Sequence, residues 1–231
     1  RVRRRGRPFV IRATTLCCCL AVVSLSWPGA APAITGAEVI ERMQERFADA
    51  KSYEARFEKQ FYWAVLDKSM SREGRIYTRR PGQFRVEVDD GDLVVADGKT
   101  IWAYDRANDQ VIVSHYEGQL RTPWEILVQY TDGYRPVAVK ESKLDGRAAY
   151  ELTLQPRDDV PAHLRLKRMR IWVERKNWHL LRVEQVEAND DVRTYLLSDH
   201  RTNKKLKDEL FEFHPPEGAH VVDQRTAPDG S

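Results

Sequence analysis

The side chains able to do chemistry are few and poorly grouped. Six histidines, His115, His163, His179, His200, His214 and His220, are spread along the chain without the i, i+4 or paired spacing that holds a metal, and they read as surface or sheet residues. Two acidic pairs, Asp158-Asp159 and Asp190-Asp191, fall between strand-like runs and read as solvated turns rather than as an acid and base facing one substrate. No G-x-S-x-G elbow, phosphate-binding glycine loop or H-E-x-x-H helix occurs. The only cysteines, Cys17, Cys18 and Cys19, stand in one apolar run near the start. The expectation is a binding protein with no catalytic residues, metal or cofactor.

That apolar run, Ala13 to Trp27, follows six arginines and ends in Pro28-Gly29 and the small residues Ala31-Pro32-Ala33. This is the order of a secretory signal peptide, and at about 15 residues the run is short of the roughly 20 needed to span a bilayer. Residues 1–33 are expected to be cleaved, which places the three cysteines in the leader and leaves no lipid anchor. Losing six of the 38 basic residues leaves 32 against 35 acids, so the net charge moves from +3 to −3 and nothing argues for nucleic acid. The domain is expected over residues 34–223, with a flexible tail at 224–231.

What positions the remaining residues is mostly sheet. Val39, Ile40, Met43 and Phe47 recur at helical spacing after Thr35, which suits an N-cap, and predict a helix over Gly36–Ala50. From Tyr53 the period becomes two and stays so through about ten strands. Asp97-Gly98 marks a tight hairpin and Asp145-Gly146 a second turn. Pro123 to Tyr130 breaks the alternation and predicts a short second helix carrying Trp124 and Leu127. Asp208 to Leu210 reads as one further helical turn. Together these predict an α+β domain: an unclosed antiparallel β half-barrel with helices covering the concave face as a lid. Aromatics spaced for strands, including Phe57, Phe84, Trp102 and Tyr104, suit either a filled core or an apolar pocket.

Several segments are recognisable. Tyr77-Thr78-Arg79-Arg80-Pro81-Gly82-Gln83-Phe84-Arg85, then Val95-Ala96-Asp97-Gly98-Lys99-Thr100-Ile101-Trp102-Ala103-Tyr104-Asp105 and Gln110-Val111, closely resemble the LolA family of periplasmic outer-membrane lipoprotein carriers. Phe57-Glu58-Lys59-Gln60, Thr122-Pro123 and Phe211-Glu212-Phe213-His214-Pro215-Pro216-Glu217-Gly218 resemble further family segments in the same order. Val86 departs from the pattern, where many relatives carry an aromatic.

The resemblance implies an open barrel around a lipid-binding cavity, here expected to be lined by Phe57, Phe84, Val86, Val95, Trp102, Tyr104, Leu152 and Ile171. It implies lid helices bearing Val39, Met43 and Phe47 and then Trp124 and Leu127, and an arginine, Arg80, that reaches across the cavity to hold the lid. It also implies partners: the lipidated N-termini of lipoproteins, an inner-membrane lipoprotein-releasing ABC transporter and an outer-membrane receptor, served by a monomer in the periplasm. The other expectation from a similar half-barrel is a periplasmic lipoprotein-sensing regulatory module that binds an anti-sigma factor, which normally needs a second domain.

Overall fold

The structure, a computed structural model, describes residues 33–116, 133–161 and 165–225. Helix α1 (Gly36–Ala48) opens it where the apolar spacing places it, and Thr35 caps it by accepting a hydrogen bond from the backbone N–H of Glu38 at 3.1 Å. The expected second helix, with Trp124 and Leu127, lies outside the described residues.

Among the described residues twelve strands follow: β1 (Ser52–Trp63), β2 (Lys68–Arg79), β3 (Gln83–Val88), β4 (Leu93–Asp97), β5 (Thr100–Asp105), β6 (Gln110–His115), β7 (Tyr134–Leu144), β8 (Arg147–Pro156), β9 (Arg168–Glu174), β10 (Leu180–Val186), β11 (Val192–Thr202) and β12 (His220–Asp223). They form one sheet in the order β12-β6-β5-β4-β3-β2-β1-β11-β10-β9-β8-β7. Every neighbouring pair is antiparallel except β12 on β6. The two edges, β12 and β7, do not pair with each other, so the barrel is unclosed. A 3-10 turn, Asp208–Phe211, occupies the expected helical turn near the end.

The hairpin at Asp97 has its two-residue loop at Gly98-Lys99, one position later than the Asp-Gly signal suggests. Asp97 ends β4 and its carboxylate accepts the N–H groups of Lys99 (2.7 Å) and Thr100 (2.8 Å), while Gly98 supplies φ +98° at the first loop position. Strand β12 and the outer part of β2 are not foreshadowed by alternation. Apart from Met70, Lys68–Glu73 is polar, and it is extended because each residue pairs with one of Glu58–Trp63 of β1.

The helix lies on one half of the sheet. Val39, Ile40 and Met43 are buried against Tyr53 and Ala55 of β1, Tyr150, Leu152 and Leu154 of β8, Met169, Ile171 and Val173 of β9, Leu180 and Val183 of β10 and Leu197 of β11. A second, smaller cluster sits farther along the same face: Ile76, Phe84, Val86, Ala96 and Ile101, with Phe57 packed against both.

Candidate functional site

Strand register decides which expected residues share the helix-covered face. Phe57 pairs with Leu197, Ala55 with Ile76, Ile76 with Val86 and Phe84 with Ala96, so Phe57, Phe84 and Val86 stand on the face that carries α1. Leu152 and Ile171 stand there too, but both are 0% exposed in the core beneath Val39 and Met43.

Val95, Trp102 and Tyr104 require a correction. Val95 pairs with Trp102, and both are one residue out of step with Ala96 and Ile101, so they point to the outer face. There the C-terminal segment covers them, with Phe213 at 6.3 Å from Trp102 and 6.4 Å from Tyr104. Arg79 fastens that segment through the Leu206 carbonyl (3.3 Å), Asp208 (2.6 Å) and the Phe211 ring (4.6 Å), and Arg85 donates to the Leu210 carbonyl at 3.4 Å. The closing F-x-F pattern therefore seals the outside of the sheet.

On the helix side, unfilled space lies at the C-terminal end of α1. A cavity of about 240 Å³ is lined by Phe47, Ala50, Thr78, Arg79, Arg80, Pro81, Gly82, Gln83 and Tyr116. That is below the roughly 300–1,000 Å³ of a small-molecule pocket, so an acyl chain needs this space enlarged. Arg80 stands at its rim. Its Nε donates to the Ala50 carbonyl at 3.3 Å and its guanidinium lies 5.5 Å from the Phe47 ring centroid. Arg80 is an exposed residue and clamps the near end of α1 instead of spanning an enclosed cavity. Its backbone N–H donates to the Lys51 carbonyl at 3.0 Å, which fixes the β2–β3 turn against the same end of the helix.

Two more contacts hold α1, neither legible beforehand. Arg42 sits 4.9 Å from the ring of Trp178, which stacks on Tyr150 at 5.9 Å, and Arg46 donates to Thr202 at 2.7 Å. Trp178 adopts φ +59°, a costly backbone for an aromatic, held by its N–H bond to the Glu174 carbonyl at 3.0 Å.

Below that end of the helix, two of the scattered histidines meet. His179 and His200 stack at 4.6 Å and 17°. Tyr53 O–H donates to His200 Nδ1 at 2.7 Å and His200 Nε2 donates to the Leu197 carbonyl at 3.2 Å, an assignment that satisfies the neutral ring. Burial, then the charge of His179, push His200 down to about 3, and burial lowers His179 as well against the opposing pull of Glu174. The two members of the Asp190-Asp191 pair differ, and the buried one is not the solvated turn residue expected. Asp191 is buried and accepts the Ala64 N–H at 2.9 Å, anchoring the β1–β2 hairpin, whereas Asp190 is a turn residue at φ +67°. Among the described residues no group of three His, Cys, Asp or Glu side chains is placed to hold a metal, and no helix is long and apolar enough to cross a membrane.

An uncharacterized protein of Methanocaldococcus jannaschii is 24% identical over 206 residues, covering 87% of this chain but only 58% of that protein, so the chain spans less than two thirds of that relative. An outer-membrane lipoprotein carrier protein of Histophilus somni is 27% identical over 195 residues, covering 83% of this chain and 91% of its own. The crystal structure of an uncharacterized conserved protein from Thermus thermophilus shares the fold, with a TM-score of 0.54 and 16% identity over 81% of this chain and 98% of that one. Residues 48–214 match the family described as outer membrane lipoprotein carrier protein LolA, and over that span, from the end of α1 to the residue after Phe213, the chain belongs to the LolA family.

Proposed function

We propose that this protein is a periplasmic carrier that takes the acylated N-termini of lipoproteins from an inner-membrane releasing transporter and passes them to an outer-membrane receptor, without catalysis. In this reading residues 1–33 are a cleaved leader, 34–223 the carrier domain and 224–231 a tail, and the protein acts as a monomer. The observation that carries it is the small cavity beneath the end of α1 with Arg80 clamping its rim, in a chain of this family.

The energetics suit handover. A triacylated N-terminus with roughly 45 methylenes at ~0.8 kcal/mol each would nominally gain about 35 kcal/mol in a dry cavity, beyond any attainable affinity. Loading must therefore leave acyl chain exposed or spend energy on opening the protein. An α1 held by Arg80, Trp178 and Thr202 supplies such an opening cost. Cargo then leaves whenever a receptor binds it more tightly.

The test is release of lipoproteins from spheroplasts by the purified protein, followed by transfer to outer-membrane vesicles. The wild type is expected to do both. Arg80→Leu, with its rim clamp gone, is expected to load normally and to transfer several-fold more slowly. Failure of the wild type to release lipoproteins would refute the carrier reading, and normal transfer by Arg80→Leu would remove Arg80 from it.

A further inference from the structure

Strands β1 and β2 form a hairpin whose β2 arm runs from Lys68 to Glu73 beyond its pairing with β3, and whose turn lies beyond the last β1–β11 pair. β3 meets β2 only from Gly74 inward, and β11 meets β1 only as far as Tyr62. The turn is apolar where polar residues would be expected, with Val65 86% exposed and Leu66 61%, and Met70, opposite Phe61 farther in, is 45% exposed. The other exposed large apolar residues among the described ones, Ile112, Val137 and Val221, stand on strands β6, β7 and β12 at the borders of the sheet. Behind the apex Trp63 packs edge-on to Phe61 at 4.5 Å.

The acids around this apex already have partners. Asp67 accepts from the Tyr62 hydroxyl at 3.1 Å, Asp191 from the Ala64 N–H, Asp190 from Lys167, and Glu187 pairs with Arg193 at 2.7 Å. Lys68, opposite Trp63, has no ion pair among the described residues. From the tip inward the order is aliphatic, then an aromatic beside a cation, over about two register steps of ~3.3 Å each. That is the order of polarity across a bilayer surface, where aliphatic groups enter the acyl boundary, Trp sits at headgroup level and Lys meets phosphate. A cavity bordered by Phe61, Tyr62, Ser69 and Met70 lies behind the apex, and Val65 and Leu66 at the tip do not line it.

We propose that the tip of the β1–β2 hairpin docks on a lipid bilayer, with Val65 and Leu66 entering the interface and Trp63 and Lys68 at headgroup level. Its use rests on the carrier reading. Phe61, Trp63 and Met70 share the strand face of Phe57, so tip-first docking brings the outer end of the helix-covered face to the surface of the membrane from which acyl chains are exchanged. The same geometry holds one unfavourable group: the Asp67 carboxylate lies at the apex and opposes anionic headgroups.

The experiment is flotation of the protein recovered from the periplasmic fraction with protein-free vesicles of phosphatidylethanolamine and phosphatidylglycerol, without cargo. The wild type is expected to float. The double variant Val65→Asp/Leu66→Asp is expected to lose about tenfold in partitioning, and Asp67→Asn to gain about threefold. The apex side chains are exposed, so far-UV circular dichroism is expected to be unchanged in both variants. A wild type that does not float, a double variant that floats equally well, or binding only to vesicles that contain membrane proteins would each overturn lipid docking. Failure of the carrier reading registers separately, as absent release from spheroplasts by a protein that still floats.

Discussion

Adjacent arginines in this chain do opposite jobs. Arg79 and Arg80 point to opposite faces of β2's end, so one binds the C-terminal segment on the outside while the other clamps α1 on the inside. A sequence shows the pair but not which member faces which way. The histidines carry the same lesson: His179 and His200 are 21 residues apart, and only the fold of β10 and β11 stacks them. Their burial gives a pH dependence with a definite sign. Because His200 is held down to about 3 and His179 is also lowered, the unfolded chain binds more protons than the folded one below about pH 6.5. The groups facing the pair are Tyr53, Glu174, Arg46 and Arg147, and the two arginines reinforce the neutral state. Stability is therefore full above about pH 6.5 and falls as pH drops toward about 3, by on the order of 1 kcal/mol per pH unit for one fully excluded proton. Urea midpoints measured from pH 7 to pH 4.5 are expected to decline in the wild type and to decline less steeply in His200→Gln. Parallel curves would refute the assignment.

At the level of elements, alternation and helical spacing placed α1 and most strands correctly, because those segments are amphipathic. It failed where both faces are apolar. Leu93-Val94-Val95-Ala96 of β4 has the helix-face cluster on one side and the Asp208–Phe211 turn on the other, so period two could not say that Val95 faces outward with Trp102. Strand β12 was invisible since four residues pairing in parallel with a distant edge leave no local pattern. Gly74 is a position where backbone contact, not pattern, dictates the residue. A Cβ there would collide with the Glu87 carbonyl oxygen and lie 2.7 Å from the Phe57 ring. Phe57 stands opposite Gly74 and joins the two clusters. Gly74→Val is accordingly expected to cost about 1–3 kcal/mol in urea unfolding through overpacking. Phe57→Ala in the same background is expected to recover part of that loss, whereas additive losses would show that the ring is not what the valine displaces.

For the molecule as a whole, the two halves of the sheet are unequally filled. Beneath α1, strands β8, β9 and β10 hold side chains of near-zero exposure, including Leu152, Met169, Ile171, Val173 and Val183, and this half has no room to accept a ligand without losing its core. The half built from β2 to β5 has a smaller cluster and borders the cavity at the end of α1. Opening should begin there, since lifting the end of α1 breaks the Arg80 and Phe47 contacts while leaving Val39 and Met43 seated. Native-state amide exchange reads this directly. Amides of β8–β10 are expected to exchange only with global unfolding, and those of β3–β5 and the last turn of α1 through a smaller opening. Adding a triacylated lipopeptide is expected to raise protection in the second group by about tenfold or more, on the order of the stabilisation given by ligand at ten times its Kd, and to leave the first group governed by global unfolding. Protection rising only in β8–β10 would place the acyl chains under the body of α1, and the core described for that half would then have to come apart to admit them.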